Sequence, residues 1–304
     1  MRVAIGPSSF AAEDTTPLKM LEKAGCEVVP NPFGRRLTED EIIAHLEGID
    51  GLVAGLEPLN AKVIASAPQL KVIARVGIGV TNVDFDAAAE HDVKVSNTPD
   101  GPVDAVAEMT LAALLAICRR VVPSNAALHA GEWTKLIGTG LRGAQILLIG
   151  YGRIGRRVGE LLRAFGAELT VYDPFLDATA DLGDATRASD LDAALGESDV
   201  ISLHASGETA VLTADAFGRM RDGVILLNSA RGELVDEAAL VAALESGKVG
   251  GAWFDAFWEE PYSGPLTEFD QVLLTPHVGT YTRQCRLGME SAAVTNLLND
   301  LGLS

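Results

Sequence analysis

Residues Gln145 to Gly155, QILLIGYGRIG, decide how the rest of the chain is read. An apolar run, QILLI, passes directly into the glycine turn Gly150-Tyr151-Gly152-Arg153-Ile154-Gly155, and the residues after it, RRVGELLRAFG, carry apolar positions at helical spacing. A G-x-G-x-x-G string alone is weak evidence, but between a strand and a helix it is the turn that cradles a dinucleotide pyrophosphate. Gly150 makes the tight turn, Gly152 lets the backbone approach the phosphates, and Gly155 permits the helix to pack closely. The helix N-terminus then offers free N–H groups to the phosphate oxygens. The following strand, ELTVYD, ends in Asp173, 23 residues after Gly150, where a carboxylate accepts hydrogen bonds from the adenosine ribose hydroxyls. The same charge repels a 2′-phosphate, and Pro174 and Phe175 supply no cation to offset it, so the turn is read as a site for NAD rather than NADP.

Around this turn the chain alternates strand and helix patterns. After it come the strands VISLH, GVILLNS, GAWFDAF and QVLLTPH, separated by helical stretches such as TADAFGRM and DEAALVAALESG. Before it lies a second series: RVAIG, PLKMLEKAG, EVVP, EDEIIAHLEG, DGLVAG, AKVIASA, LKVIARVG, FDAAAEH and VKVSN. Alternation of this kind predicts parallel sheets, and strands apolar on both faces predict helices on both sides. The 304 residues suit two domains, so the expected fold is α/β with two doubly wound domains. A long apolar helical stretch from Pro102 to Ala127 reads as a connection between them, with a kink or break at Pro123. The helical tail RLGMESAAVTNLLNDLGLS comes too late for the second sheet and is expected to return to the first domain, making that domain discontinuous.

The formal charge of −18 argues against nucleic acid and anionic membranes as partners. It also gives weight to any arginine near a motif, since an anionic substrate must be held against the global field. No apolar run reaches the roughly 20 residues of a membrane span, and MRVAIGPSSF lacks the pattern of a signal peptide. Three widely spaced cysteines, Cys26, Cys118 and Cys285, form no disulfide framework; a cytoplasmic location is expected. The five histidines and three cysteines show no zinc-ligand spacing, so no metal is expected.

Dinucleotide chemistry in such sheets takes place at the carboxyl ends of the strands. Polar residues placed there are His204 after VISL, Arg231 after VILLNSA, Asp255 and Glu260 around the end of GAWFDAF, and His277 after VLLTP. Reduction of a 2-keto acid needs a cation for the carboxylate, a proton donor for the developing alkoxide, and a group that keeps the donor charged. An arginine supplies the bidentate fork, a histidine is the proton donor suited to neutral pH, and a neighbouring carboxylate favours its charged form.

These residues, together with LKVIARVGIGVTNVD, VSNTPDGPVDAVAEMTLAALLA, GEW, IGYGRIGRRV, YDP, SDVISLHA, LLNSARGELVDEAAL, FDAFWEEP and LTPHVG, make the chain resemble the D-2-hydroxyacid dehydrogenases over nearly its whole length. The resemblance implies a Rossmann NAD-binding domain, 100–285, and a discontinuous flavodoxin-like substrate domain, 1–99 plus 286–304. It implies a catalytic triad of Arg231, Glu260 and His277, with Glu260 chosen over Glu259 by its position before Pro261. It further implies that Asp255 holds the nicotinamide carboxamide, that Ser229 and Ala230 line the ring, and that His204, Ala205 and Thr110 contact the cofactor. The backbone of Gly77-Ile78-Gly79 would bind the substrate carboxylate beside Arg231, with Asn82 and Asn97 orienting that loop or the substrate. A homodimer through the dinucleotide domain, using the helix Val103 to Arg120 among other elements, is implied as well.

The chain departs from the family pattern at Thr81, where an acid usually precedes Asn82, at Asp100, where glycine follows the NTP triplet, and at Thr280, a common glycine position followed here by bulky Tyr281. Trp258 also stands close to Glu260 in sequence. Phosphoglycerate-specific members carry arginines around the segment that reads here as Gly55-Leu56-Glu57-Pro58; acidic Glu57 argues against strong phosphate recognition, with Arg75 as the cation available to substitute. No regulatory domain is expected beyond the two domains read here. The expected substrate is a small 2-keto or 2-hydroxy acid, with hydroxypyruvate, glyoxylate and 3-phosphoglycerate left open. The alternatives are an NAD(H)-sensing corepressor-type binding protein on the same fold and a non-redox NAD-binding scaffold.

Overall fold

The two series of short apolar strands form two all-parallel sheets in the computed structural model, which describes residues 1–303. The first comprises β1 (Arg2–Ile5), β2 (Glu27–Val29), β3 (Gly51–Ala54), β4 (Val72–Arg75) and β5 (Lys94–Ser96), in the order β2-β1-β3-β4-β5. Helices α1 (Thr16–Lys23), α2 (Glu39–His45), α3 (Ala61–Ala65) and α4 (Phe85–Glu90) are the crossovers. The starts of α3 and α4 are fixed by short polar side chains: Asn60 Oδ1 accepts from Val63 N at 3.1 Å and Asp84 Oδ1 from Ala87 N at 2.9 Å, caps worth about 1 kcal/mol each. The central strands β3 and β4 are buried along their whole length, as a sheet covered on both faces requires.

The second sheet runs β12-β11-β10-β9-β6-β7-β8 and is likewise parallel throughout. Before it come α5 (Val103–Cys118) and α6 (Val121–His129). The sheet then takes β6 (Gln145–Ile149), α7 (Arg153–Ala164), β7 (Glu168–Tyr172), β8 (Thr186–Arg187), α8 (Leu191–Glu197) and β9 (Val200–Leu203). It continues through α9 (Ala214–Arg219), β10 (Val224–Asn228), α10 (Glu237–Glu245), β11 (Val249–Phe254) and β12 (Val272–Leu274). Alternate residues of one strand feed opposite cores. Leu147 and Ile149 join Ile201, Leu203, Leu226 and Phe254 on one face, while Ile146 and Leu148 join Val171, Leu227 and Trp253 on the other. Helix α7 buries Gly155, Val158, Gly159 and Leu162, one stripe at the spacing of a helix face. Strand order reverses between β6 and its neighbours β7 and β9, the crevice where such sheets take ligands.

The last helix, α11 (Arg283–Leu301), begins at a Thr282 cap and packs on α1 and on β3, β4 and β5 of the first sheet. Gly51 makes this approach possible, since a Cβ there would lie 3.3 Å from the methyls of Leu297 and Leu301. One unit therefore comprises Met1–Pro102 with the segment from Tyr281 on, and the other Val103–Thr280. The exchange points fall at the starts of α5 and α11, at Pro102 and Tyr281, where 99 and 285 are the boundaries suggested by the sequence.

Three local features differ from the sequence reading. The break placed at Pro123 falls at Arg120, which adopts a left-handed φ of 54°. Pro123 instead lies in the first turn of α6, where its missing N–H costs no hydrogen bond. Neither β8 nor α8 is evident from apolar spacing, because β8 is a two-residue edge strand of exposed residues and α8 is a single short crossover. Among the described residues no helix is long and apolar enough to cross a membrane.

A methyl group at Gly155 would meet the Gly150 carbonyl oxygen. The change Gly155→Ala is expected to destabilise the chain by about 1–3 kcal/mol, measured as a lower urea midpoint. An unaltered midpoint would show that α7 has room to withdraw from the turn.

Candidate active site

The turn between β6 and α7 is shaped by backbone contacts that leave no room for side chains. Gly150 takes φ +90°, and a Cβ on it would lie 2.5 Å from Ala205 N at the exit of β9. Gly150 N donates to Tyr172 O at 2.9 Å, and Tyr151 N donates to Asp173 Oδ2 at 2.8 Å. The carboxylate expected at the ribose thus also clamps the glycine turn to the end of β7, and its second oxygen accepts from Phe175 N at 3.0 Å. The Tyr151 ring is buried under α7, with the Arg156 guanidinium 5.0 Å from its centroid, and Ile154 packs on the same core. Gly152 faces open space, with nothing within 4 Å of a Cβ, and α7 behind it has no side-chain cap. An uncapped helix start with room for close backbone approach fits a pyrophosphate. Arg153 opens that helix.

At the opposite side of the same sheet edge, His277 and Glu260 face each other. The imidazole Nδ1 lies 2.9 Å from Glu260 Oε1 and 3.0 Å from Oε2. An ionised carboxylate can only accept, so Nδ1 carries the proton, and Nε2 is left as the nitrogen that can exchange one. Glu260 Oε1 also accepts from Phe257 N at 3.3 Å. His277 adopts φ +53°, a left-handed conformation uncommon for a side-chain-bearing residue.

What holds that conformation is Asp255, buried at the end of β11. Its Oδ1 accepts from Thr275 Oγ1 at 2.6 Å and Val278 N at 2.9 Å, and its Oδ2 accepts from Gly279 N at 2.7 Å. Trp253 Nε1 donates to Thr275 Oγ1 at 2.9 Å, completing a buried relay. The resemblance assigns Asp255 to the nicotinamide carboxamide; here its carboxylate is engaged by the loop that carries His277. Thr275 and Trp253 escape sequence reasoning because their apolar and hydroxyl neighbours carry no chemical signature.

Arg231 leaves β10 in extended conformation. Its Nη1 donates to Ala230 O at 2.6 Å, and its carbonyl accepts from Asn228 Nδ2 at 2.8 Å. Asn228, fully buried, also accepts from Ala230 N at 3.0 Å, so it shapes the turn Ser229-Ala230-Arg231. Gly232 lets this turn touch the Phe257–Trp258 backbone, where a Cβ could not fit. Trp258 turns into the core, with its Nε1 donating to Val235 O at 2.8 Å and its ring stacked on Phe254 at 5.7 Å, away from the polar group that its place in the sequence suggests.

His204 lies at the carboxyl end of β9. Its Nε2 is 2.8 Å from Ser202 Oγ, and its Nδ1 is shut off from solvent with no hydrogen-bond partner among the described residues. Burial pushes this imidazole down to about 4, so it is neutral at ordinary pH. Its Cβ lies 3.5 Å from where a Cβ on Gly155 would stand, directly under the glycine turn. The buried Thr110 hydroxyl donates to Val106 O at 2.8 Å within α5, so its proton is committed inside the helix.

In the first unit, Gly77 takes φ +131° and donates its N–H to Thr98 Oγ1 at 2.8 Å. One of the three backbone groups read as carboxylate donors is therefore occupied. Ile78 O accepts from Asn97 Nδ2 at 2.8 Å, so Asn97 does orient this turn. Asn82 is tied to the neighbouring segment instead, donating to Gly55 O at 3.2 Å and Glu57 O at 2.7 Å.

The geometry has known counterparts. The model of the family described as D-isomer specific 2-hydroxyacid dehydrogenase, NAD binding domain, matches residues 111–279. The D-3-phosphoglycerate dehydrogenase of Mycobacterium tuberculosis is 38% identical over 254 residues, 81% of this chain and 48% of that protein; the chain spans about half the length of the curated relatives it matches. The crystal structure of a protein from Thermus thermophilus superimposes with a TM-score of 0.89 at 35% identity, covering 99% of this chain and 97% of that one. The D-lactate dehydrogenase of Escherichia coli superimposes with a TM-score of 0.85 at 27% identity, covering 98% and 96%. The chain belongs to the D-isomer-specific 2-hydroxyacid dehydrogenase family, and the sheet that carries the glycine turn, Asp255 and His277 is that family's NAD-binding domain.

Proposed function

We propose that the chain is an NAD-dependent D-2-hydroxyacid dehydrogenase, or 2-keto acid reductase, acting on a small acid of the hydroxypyruvate, glyoxylate or 3-phosphoglycerate class. The observation that carries this reading is the His277–Glu260 pair at 2.9 Å on the edge of a dinucleotide-binding sheet. A histidine oriented by a carboxylate is the arrangement for moving a proton near neutral pH. NAD supplies or accepts the hydride when bound. In the reducing direction His277 gives the Nε2 proton to the alkoxide oxygen, and Glu260 stabilises the imidazolium and fixes the ring. Arg231 takes the substrate carboxylate and polarises the adjoining carbonyl. Gly150, Gly152 and the start of α7 hold the pyrophosphate, Asp173 the ribose, and His204, Ala205, Ser229 and Ala230 line the cofactor.

The chain is further proposed to act in the cytoplasm, with its three cysteines reduced, and to form a homodimer through the dinucleotide domain. Helix α6 supports the dimer because it buries none of its own residues. Val121, Val122 and Leu128 on it, and Trp133 and Ile137 just beyond, are all exposed, Ile137 by 95%. An apolar patch of this kind on one segment marks an association surface, and a second copy is the occupant that the family resemblance implies.

Three measurements test these statements. Across a panel of 2-keto acids with NADH and NADPH side by side, turnover with NADH is expected, and His277→Ala is expected to lower kcat by about 100- to 10,000-fold while NADH still binds. Absence of turnover with every acid would favour the NAD(H)-sensing reading, and an undiminished His277→Ala enzyme would remove the histidine from the chemistry. The unaltered chain should have twice the monomer mass in light scattering and Trp133→Glu/Ile137→Glu the monomer mass; a dimeric double variant would place the interface elsewhere. The third measurement concerns His204. Its ordinary value of 6.5 applies in the unfolded chain and about 4 in the folded one, so below 6.5 the unfolded chain binds the extra proton. Stability should therefore decline as pH falls from 6.5 towards 4. His204→Asn should show a shallower decline in urea midpoint between about pH 7 and about pH 4.5; an identical slope would mean that His204 titrates freely.

A further inference from the structure

Thr275 is the last residue before His277 that the second sheet holds by hydrogen bonds, and all of its polar groups serve that connection. Strand β11 pairs with β12 through Phe254 and Leu274, so the next residues, Asp255 and Thr275, stand side by side. Thr275 N donates to Phe254 O at 3.0 Å, and Thr275 O accepts from His277 N at 2.9 Å across Pro276. Its hydroxyl donates to Asp255 Oδ1 at 2.6 Å and accepts from Trp253 Nε1 at 2.9 Å. Trp253 and Asp255, two residues apart, leave the extended chain on the same face, which is why one hydroxyl reaches both.

Chemistry fixes the direction of this relay. An indole N–H can only donate, so the Thr275 oxygen accepts there and its own proton is turned onto Asp255. Trp253 is fully buried, and its N–H has no route to solvent. Asp255 in turn accepts from Val278 N and Gly279 N, the residues that follow His277. Gly279 allows that approach, since a Cβ there would lie 2.9 Å from Asp255 Oδ2. His277 is therefore tied to the end of β11 on both sides, through Thr275 before it and Asp255 after it, while its ring meets Glu260 from a different loop. Removing the hydroxyl leaves a buried indole N–H unpaired and takes one donor from a buried carboxylate, losses that the loop can relieve only by moving. The left-handed backbone at His277 persists only while its neighbours fix it, so such movement releases the ring from Glu260.

We propose that Thr275 is a positioning residue for the proton transfer: its hydroxyl, turned by the Trp253 indole, locks Asp255 across the His277 loop and so holds Nδ1 against Glu260, leaving Nε2 as the nitrogen that exchanges a proton. This rests on the dehydrogenase reading for the use made of His277, and it adds to that reading the residues that set the imidazole's tautomer.

The test is NMR of nitrogen-labelled histidine side chains in the full-length chain, read on the neutral imidazole in alkaline buffer, with kcat and NADH affinity measured alongside. The five histidines give few signals, and His277→Ala identifies the one concerned. The unaltered chain should carry the His277 proton on Nδ1. Thr275→Val, checked for an intact fold by circular dichroism, is expected to spread that proton over both nitrogens and to lower kcat by about 10- to 100-fold, while NADH affinity stays within about twofold. Thr275→Ser keeps the hydroxyl and should restore tautomer and kcat together. Where the valine variant does not fold, Trp253→Phe, which takes away the indole N–H, should move the tautomer in the same direction. A proton that stays on Nδ1 in the folded variant overturns the inference, as does a serine variant that restores nothing. Equal losses of kcat and NADH affinity with the tautomer in place would assign the relay to the cofactor and overturn it too. An unaltered chain with the proton on Nε2 overturns it whatever the variants do. Because the tautomer is read without substrate, absence of turnover with every 2-keto acid would count against the dehydrogenase reading alone and leave the positioning of His277 standing.

Discussion

The Asp255 carboxylate is the constraint on which the His277 edge of the second sheet depends. It sits at the end of β11, out of contact with water, and its two oxygens accept three hydrogen bonds from one short loop, at Thr275, Val278 and Gly279. A buried carboxylate without such partners would cost several kcal/mol; with charge-assisted bonds it becomes a rigid pin. The residue it brackets is His277, whose left-handed backbone costs about 1 kcal/mol or more by itself and persists because its neighbours on both sides are fixed. The strain and the pin belong together: the loop turns outward at His277, and that turn carries Nδ1 to within 3.0 Å of both Glu260 oxygens.

A second constraint acts through absent side chains. Gly150, Gly155 and Gly232 each stand where a Cβ would strike backbone, so the exits of β6, β9, β10 and β11 can crowd together at one edge of the sheet. Close packing there does two things at once. It gathers the polar groups of four strand ends at one edge, and it buries His204 deeply enough to hold its imidazole neutral. The dinucleotide edge thus gains its polar groups from strand ends and its shape from glycine, while the two apolar cores behind it hold the strands in register.

Strand and helix positions were legible because the apolar pattern along each segment is determined by burial on both faces, and the parallel order follows from the alternation. The placement of Arg231, Glu260, His277 and Asp173 at strand exits was legible because each follows an apolar strand run closely in the sequence. What the sequence hid were roles that depend on a third partner. Pro123 reads as a breaker, yet the position of the break was decided by the first turn of α6. The N–H of Gly77 reads as a ligand donor until Thr98 is seen to take it. Trp258 lies two residues from Glu260 in sequence, but its ring faces the core because Val235 O accepts its N–H. Asn228 and Thr275 look like ordinary strand-end residues, and only the folded chain shows them shaping the Arg231 and His277 turns.

Two glutamates show why environment decides what residue type leaves open. Glu260 is partly exposed and meets an imidazole that can carry or release a proton, so its charge is coupled to that proton. Glu57 is sealed off, and burial pushes its carboxyl up, so the fold favours its neutral form, while its Oε1 accepts from Gly55 N and ties the segment to the end of β3. A carboxylate at a partly exposed site can keep its charge beside an imidazole, whereas one sealed from water is driven towards the neutral acid. The same acidic side chain therefore orients an imidazole in one sheet and fastens a strand exit in the other, and the difference comes from which partner the fold has brought to it.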